Sequence, residues 1–393
     1  MAVAIAALAL GGFAIGTTEF VTMGLLPDIA DGVAVDIPTA GHVISTYALG
    51  VVVGAPVIAA LGARLPRRGL LLALMAAFLI GNAASAMAAG AGQLLLARFA
   101  AGLPHGAYFG VASLVASSLV PPHRRGRAVS SVMLGLALAN LAGVPTATWL
   151  GQHLGWRAAY WAVVVLAGLT VAAVAALVPP TAPEPGASVR TELGALRRPQ
   201  VLLTLAVGVV GFGGMFAVYS YIAPLTTEVA GLGRGAVPGV LFAFGIGGVV
   251  GTALGGRFAD LALFRALAGA MVAMALVLGL LPVVASSGVG LVAGVFALSV
   301  AGSMLAVCLQ LRLMQVAVEA RMLGAALNHS ALNAANALGA WLGGLVIAGG
   351  LGYRAPALVG AGLSVVGLAV LAVSAVLRAR ERTGRAVGPA AGR

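Results

Sequence analysis

Apolar runs of about twenty residues follow one another along almost the whole chain, and short stretches carrying Arg, Pro or Gly separate them. A helix needs about 20 mostly apolar residues to cross about 30 Å of hydrocarbon. Segmentation on that length, with breaks at charges and at Pro/Gly clusters, predicts twelve spans, roughly 4–27, 40–62, 69–89, 93–119, 128–151, 158–178, 200–224, 236–256, 266–286, 289–311, 323–350 and 356–377. The narrowest breaks are at Ala89–Gly92 and Ser286–Gly288. The longest runs from Pro179 to Gln200. It holds Pro179, Pro180, Pro183, Pro185 and Pro199 and mixes Glu184 and Glu192 with Arg. It is too polar to be a span and too short to be a domain. It reads as a cytoplasmic linker, 179–199, joining a six-helix half at 1–178 to a second at 200–377, with an Arg-rich tail at 378–393. The pattern predicts an all-α membrane protein.

Composition agrees and excludes alternatives. Charged residues are 8% of the chain, against about 25% in soluble domains, so charge cannot cover a water-facing surface. This argues against a cytosolic enzyme, a disordered chain and a disulfide-built domain. Cys308 is the only cysteine and lies in an apolar run, so no intrachain disulfide or Cys-based metal site is expected. Met1 to Leu10 carries no positive segment and reads as a retained first span.

The net charge of +12 comes from Arg alone, for there is no Lys. In a soluble protein it would suggest nucleic acid. Here the Arg residues cluster between spans, and they set orientation. With both termini in the cytoplasm, 18 of the 22 Arg are cytoplasmic: Arg64, Arg67 and Arg68; Arg124, Arg125 and Arg127; Arg190, Arg197 and Arg198; Arg257 and Arg265; Arg312 and Arg321; and Arg378, Arg380, Arg382, Arg385 and Arg393. The outer loops hold Arg157, Arg234 and Arg354, and the first is acidic, with Asp28, Asp31 and Asp36. The expected location is a bacterial cytoplasmic membrane.

The two halves look alike. Gly155-Trp156-Arg157-Ala158-Ala159 returns as Gly352-Tyr353-Arg354-Ala355-Pro356, and Trp149-Leu150-Gly151 as Trp341-Leu342-Gly343. Gly62-Ala63-Arg64 after the second span corresponds to Gly256-Arg257-Phe258 after the eighth. A shift near half the chain, with the same orientation in each copy, predicts a parallel duplication.

Charges inside spans cost about 2.5–3.5 kcal/mol on insertion scales and mark function. Two stand out: Glu19 in the first span and Arg98 in the fourth. At 1.5 Å per residue they lie about 12 Å and about 8 Å from the outer end, so a Glu19–Arg98 pair is possible. Glu19 then reads as a proton carrier, or as half of a packing ion pair. His105 follows Arg98 by two turns, on about the same face, and suits a proton relay, a substrate hydrogen bond or simple packing. Pro104 between Gly102 and Gly106 suggests a bend. In the eleventh span His329, Asn333 and Asn336 share one face, which lines a cavity or bonds another helix. Tyr108, Tyr219, Tyr221 and Asn140 complete a candidate low-charge pocket fitting a neutral or weakly polar amphiphile. There is no phosphate-binding Gly-Lys-Ser/Thr motif and no metal-ligand spacing. No cofactor, metal, nucleic acid or enzymatic chemistry is expected.

The chain resembles the twelve-span drug:proton antiporters of the major facilitator superfamily over nearly its whole length. The likeness is carried by Thr18-Glu19-Phe20 through Gly24-Leu25-Leu26-Pro27-Asp28, by Leu94, Arg98 and Gly102, and by Ala139 with Gly143-Val144-Pro145. Ala101 stands where many members have Gln. Gly62 and Gly69 match the family's loop signature, with Pro66 in place of its Asp and Leu70 in place of its Arg; the second copy keeps Gly256 and Asp260. Gly102 to Gly110 is similar to the arabinose-efflux-like branch, and Leu65-Pro66-Arg67-Arg68 with Gly352 to Pro356 looks most like chloramphenicol-resistance exporters. The resemblance implies two six-helix halves and proton-coupled export of small amphiphiles, chloramphenicol among them, by a single chain rocking between two states. It implies proton coupling at Glu19, Arg98 and His105, and gating at Gly62, Gly69, Gly102, Gly143, Pro145, Gly256 and Asp260. The alternative is a facilitator of sugars or other metabolites.

Overall fold

The computed structural model describes the chain except for residues 63–64, 122–124, 181–197, 318–320 and 387–393. Twelve helices are long and apolar enough to span a membrane: Ala2–Gly24, Ile37–Ala55, Arg67–Met87, Ala91–Ser118, Ser131–Leu154, Trp156–Leu177, Pro199–Tyr219, Arg234–Ala259, Leu261–Val284, Gly288–Val316, Leu327–Leu351 and Ala355–Ala379. They are spans 1 to 12 below. The expected linker 179–199 lies mostly outside the described residues, as do Arg64, Arg124, Arg190, Arg197 and Arg393.

Span 2 starts after Asp36, whose Oδ1 accepts the Thr39 N–H at 2.9 Å as an N-cap does. Bonds from the Thr39 side chain and backbone hold the Asp36 carboxyl below its ordinary value. Span 5 carries a π-helical stretch at Ala139–Gly143 just before Pro145, and span 7 another at Val207–Gly211. Such stretches insert a residue into the helix and turn side chains on one side of it. Span 4 runs through Pro104 without interruption.

Three expectations change. The break between spans 8 and 9 is no loop but a kink at Ala262 (φ −162°, ψ 81°) inside helix Val237–Val284, so Arg265 sits in the first turns of span 9. The last helix continues to Ala386, carrying much of the expected Arg-rich tail as helix. Arg312 was expected in a loop. It lies within span 10 and is buried, donating to Gln200 Oε1 at 2.9 Å. The same Gln200 oxygen accepts the Ser374 hydroxyl at 2.8 Å, so a buried polar node ties spans 7, 10 and 12.

The duplication is visible in the packing. Gly155 and Gly352, 197 residues apart, both have positive φ (88° and 72°), and each opens the helix that follows it. The next-but-one residues do the same work: Arg157 donates to Ala88 O at 2.8 Å and Arg354 to Ser286 Oγ at 3.0 Å, each tying its turn to the turn between the third and fourth spans of its half. Spans 2 and 4 touch where Gly50 faces Phe99 O and Gly54 faces Leu103 O, with no room for a Cβ. Spans 8 and 10 repeat this one interval on, Gly247 against Phe296 O and Gly251 against Val300 O. Close approach of this kind needs small residues. Two six-helix copies of one design thus build the molecule. Leu96, Val165, Leu169, Leu276 and Leu280 are exposed on its outside, as a lipid-facing surface requires.

The halves meet through spans 2 and 11 and spans 5 and 8. Ser45 donates to Ala337 O at 3.3 Å, and Gly245 packs on the backbone of Asn140 and Leu141. Toward the Asp28 end, Arg234 pairs with Asp28 and accepts, through its carbonyl, a bond from Gln152 Nε2 at 3.0 Å. These bonds cap a small cavity of about 200 Å³, also lined by Asp31, Thr227 and Glu228.

Candidate functional site

A row of buried polar side chains runs up span 1: Thr17, Thr18, Glu19 and Thr22. Glycines at 12 and 16 let span 1 lie close against span 5, and Gly143 leaves room for Phe13 and Thr17. This contact turns the Thr18–Glu19 face inward, toward spans 2, 4 and 6. Thr17 and Thr22 satisfy their hydroxyls locally or nearby: Thr17 Oγ1 donates to Phe13 O at 2.8 Å, and Thr22 Oγ1 lies 2.8 Å from Tyr160 Oη.

Arg98 is wholly buried. Its Nη1 donates to Thr18 Oγ1 at 3.0 Å and its Nη2 to Thr18 O at 3.1 Å. Its Cζ lies 4.2 Å from the Tyr47 ring centre and 5.2 Å from that of Tyr160, so two aromatic faces stabilise the cation. Thr18 Oγ1 in turn donates to Asn82 Oδ1 at 2.5 Å, and Asn82 Nδ2 donates to Phe78 O at 2.8 Å. Spans 1 to 4 and 6 therefore converge on one guanidinium.

Depth alone made a Glu19–Arg98 pair possible. Among the described residues Glu19 makes no ion pair with Arg98, whose two terminal nitrogens donate to the preceding residue, Thr18. The partner of Glu19 is His105, with Nε2 to Oε2 at 4.0 Å. The other nitrogen of that ring, Nδ1, lies 3.1 Å from Tyr47 Oη. Glu19, His105, Tyr47 and Arg98 therefore form a line of neighbours, and Tyr47, which links His105 to Arg98, was absent from the sequence expectations. Its position in an apolar span beside Thr46 and Ser45 was the available signal.

The remaining expected pocket residues divide. Tyr219 does reach this region: its ring stacks on Phe244 (centroids 4.1 Å apart, 22° between planes) and meets Phe20, next to Glu19, edge-on at 5.8 Å. His329 lies flat on Phe109 across the two halves, 5.5 Å and 2°, and Phe109 contacts the His105 ring at 5.4 Å. Asn333 Nδ2 donates to His329 O at 3.1 Å. Its Oδ1, both amide atoms of Asn336, and Asn140 Oδ1 are buried without a protein partner. Tyr108 is elsewhere: it donates to Leu8 O at 2.9 Å inside the first half. Tyr221 plugs the joint between halves, donating to Ala340 O at 2.7 Å and filling the space over Gly41 and Gly344.

Of the expected gating residues, Gly102 receives the Tyr47 carbonyl, Gly62 faces Leu70, and Gly69 and Gly256 face open space. Pro145 sits in the first turn after the π stretch of span 5. Asp260 lies outside the side chains that the structure describes. Among the described residues no group of His, Cys, Asp and Glu is placed to hold a metal.

The charged cluster belongs to one half alone. One interval on, Glu19, Tyr47, Arg98 and His105 become Phe216, Phe244, Val295 and Gly302. The backbone relation survives, for Ser299 Oγ donates to Phe244 O at 2.6 Å where Gly102 packs on Tyr47 O. The chemistry does not.

Residues 8–327 match the family model described as Major Facilitator Superfamily. The chain belongs to the major facilitator superfamily. It is 41% identical over 96% of both chains to the inner membrane transport protein YdhP of Escherichia coli (strain K12). It is 36% identical to AraJ of the same strain, named as a transporter, over 93% of each chain. A chloramphenicol resistance protein of Streptomyces lividans is 37% identical over 64% of this chain and 66% of its own. The superfamily consists of multi-pass membrane transporters rather than enzymes, and a Glu–His–Tyr–Arg cluster beside an interface of two halves is the part of this major facilitator protein that needs a transport explanation.

Proposed function

We propose that this chain is a proton-coupled exporter of small, uncharged amphiphiles, chloramphenicol among them, that works by alternating access. The observation that carries the reading is Glu19: a buried carboxyl beside a buried imidazole, in a half whose duplicate is apolar at the same positions. A static packing contact has no need of an ionisable pair in lipid, where each charge is costly. A carboxyl that takes up and releases a proton does.

Glu19 is the proton carrier in this reading, with His105 and Arg98 governing when it is charged. The substrate sits between this cluster and span 11. The unpartnered amide oxygens of Asn333 and Asn140 supply acceptors, the amide of Asn336 supplies both a donor and an acceptor, and Phe20, Phe109, Tyr219 and Phe244 supply apolar faces. Such a lining has no charge to offer a charged ligand and suits a neutral amphiphile. Both termini are cytoplasmic by the distribution of Arg, so the Asp28 end is external and the contacts there close the outer side. Residues 1–178 and 200–377 are the rocking units, the glycine contacts let their helices slide, and one chain suffices. The Streptomyces lividans relative supports the choice of chloramphenicol as first substrate to try.

The test is drug susceptibility in a host stripped of its own exporters, across neutral and cationic compounds, with accumulation measured with and without an uncoupler. The expected result is lowered accumulation of neutral compounds, abolished by the uncoupler. Unchanged chloramphenicol susceptibility removes that substrate; accumulation indifferent to the uncoupler removes proton drive.

A further inference from the structure

His105 has a neighbour at each ring nitrogen. Nδ1 lies 3.1 Å from Tyr47 Oη, within hydrogen-bond distance, and Nε2 lies 4.0 Å from Glu19 Oε2, close enough to feel its charge but too far for a hydrogen bond, all within buried surroundings. In a neutral imidazole one nitrogen donates and the other accepts, and the partner of one nitrogen fixes the role of the other. Tyr47 is itself pinned. Its carbonyl sits against Gly102, where no Cβ fits, and its ring covers the Arg98 guanidinium at 4.2 Å. The hydroxyl has one freedom left, the direction of its proton.

Resting on the proton-carrier reading of Glu19, we propose that Tyr47 is a positioning residue that makes the tautomer of His105 follow the protonation of Glu19. When Glu19 is ionised its charge, 4.0 Å from Nε2, favours the Nε2–H tautomer, and the Tyr47 hydroxyl donates to Nδ1. When Glu19 carries its proton that bias is gone, and Nδ1–H donates to the Tyr47 oxygen. A hydroxyl both gives and receives, so Nδ1 keeps its partner in either state. Phenylalanine leaves an Nδ1–H without an acceptor and so keeps the ring proton on Nε2. The protonation of Glu19 is thereby passed to the group that lies over Arg98, and through Phe109, which touches both imidazoles, toward His329 of the other half. The charged and titratable groups around His105 are Glu19 from span 1, Tyr47 from span 2, Arg98 on its own span and His329 from span 11. The second half has Phe244 and Gly302 at the equivalent positions and carries no such device.

The test is nitrogen NMR of the full-length protein labelled at histidine, in lipid nanodiscs, with the His105 signals assigned by loss in His105→Gln. In the wild type the ratio of the two neutral tautomers is expected to invert as pH carries Glu19 through its titration, and Glu19→Gln is expected to abolish that pH response. Tyr47→Phe, which keeps the ring over Arg98, is expected to hold one tautomer at every pH. Its folding is checked by thermal unfolding and by unchanged signals from the other histidines. A wild-type ratio that ignores pH overturns the proposal without need of any variant, as does a Tyr47→Phe ratio that tracks the wild type. The proton-carrier reading fails separately, if Glu19→Gln still transports uphill on a proton gradient.

Discussion

Arg98 shows what a buried cation demands of its neighbours. Its guanidinium donates twice to Thr18, and two tyrosine faces cover its plane. A lysine keeps the charge but not the planar fork or the stacking. A hydrogen bond to a charged group is worth about 1.5–3 kcal/mol, so Arg98→Lys is expected to cost about 2 kcal/mol or more, read as a lower midpoint of thermal unfolding in detergent. An unchanged midpoint would mean that the Thr18 contacts contribute nothing. Much of this cluster was legible in the sequence, because a charge in an apolar run is conspicuous: Glu19, Arg98 and His105 were picked out from their surroundings alone. The pairing was not. Depth along two helices placed Glu19 and Arg98 at one level, but rotation about each helix decides which neighbour is touched, and here it gave Thr18 to Arg98 and His105 to Glu19. Tyr47 escaped notice because a tyrosine in a span is ordinary until its hydroxyl is seen against an imidazole.

Helices 2 and 4, and their duplicates 8 and 10, approach closely enough at glycines for their backbones to touch. A methyl group at Gly50 or at Gly247 meets a carbonyl oxygen, Phe99 O or Phe296 O. Overpacking of this kind costs about 1–3 kcal/mol. Gly50→Ala and Gly247→Ala are therefore expected to lower the unfolding midpoint by similar amounts. Gly69→Ala and Gly256→Ala, which face open space, are expected to leave it unchanged. Unequal effects at the first pair would argue against equivalent packing in the two halves. The number and order of spans could be read from apolar run length, since the bilayer imposes that length on any spanning helix. Helix ends could not. Arg265 and Arg312 were placed in loops because a charge was taken to end a span, yet Arg312 is buried with Gln200 close by, and the chain bends at Ala262 with helix on both sides.

At the scale of the molecule, duplication supplies the frame and divergence supplies the chemistry. The first half keeps charges where the second has Phe216, Val295 and Gly302, and the second places its amides on span 11, where they face the joint. The Asp28–Arg234 pair bridges the halves at one end. If the molecule works by rocking, that end must part during each cycle. Asp28→Cys with Arg234→Cys, on a Cys308→Ser background, is expected to be joined by a short reducible thiol-to-thiol cross-linker that spans the length of the lost Arg side chain, and so to stop transport, with reduction restoring it. Full cross-linking with undiminished transport would exclude opening at that end. The central claim is that Glu19 carries the proton that drives export. It is tested most directly in everted membrane vesicles, by following gradient-driven accumulation of labelled chloramphenicol, or of whichever neutral compound the susceptibility panel selects, in the wild type and in Glu19→Gln. The expected result is that the wild type accumulates the compound only while the gradient lasts, whereas Glu19→Gln exchanges it across the membrane but never concentrates it. Accumulation by Glu19→Gln equal to that of the wild type would contradict the account.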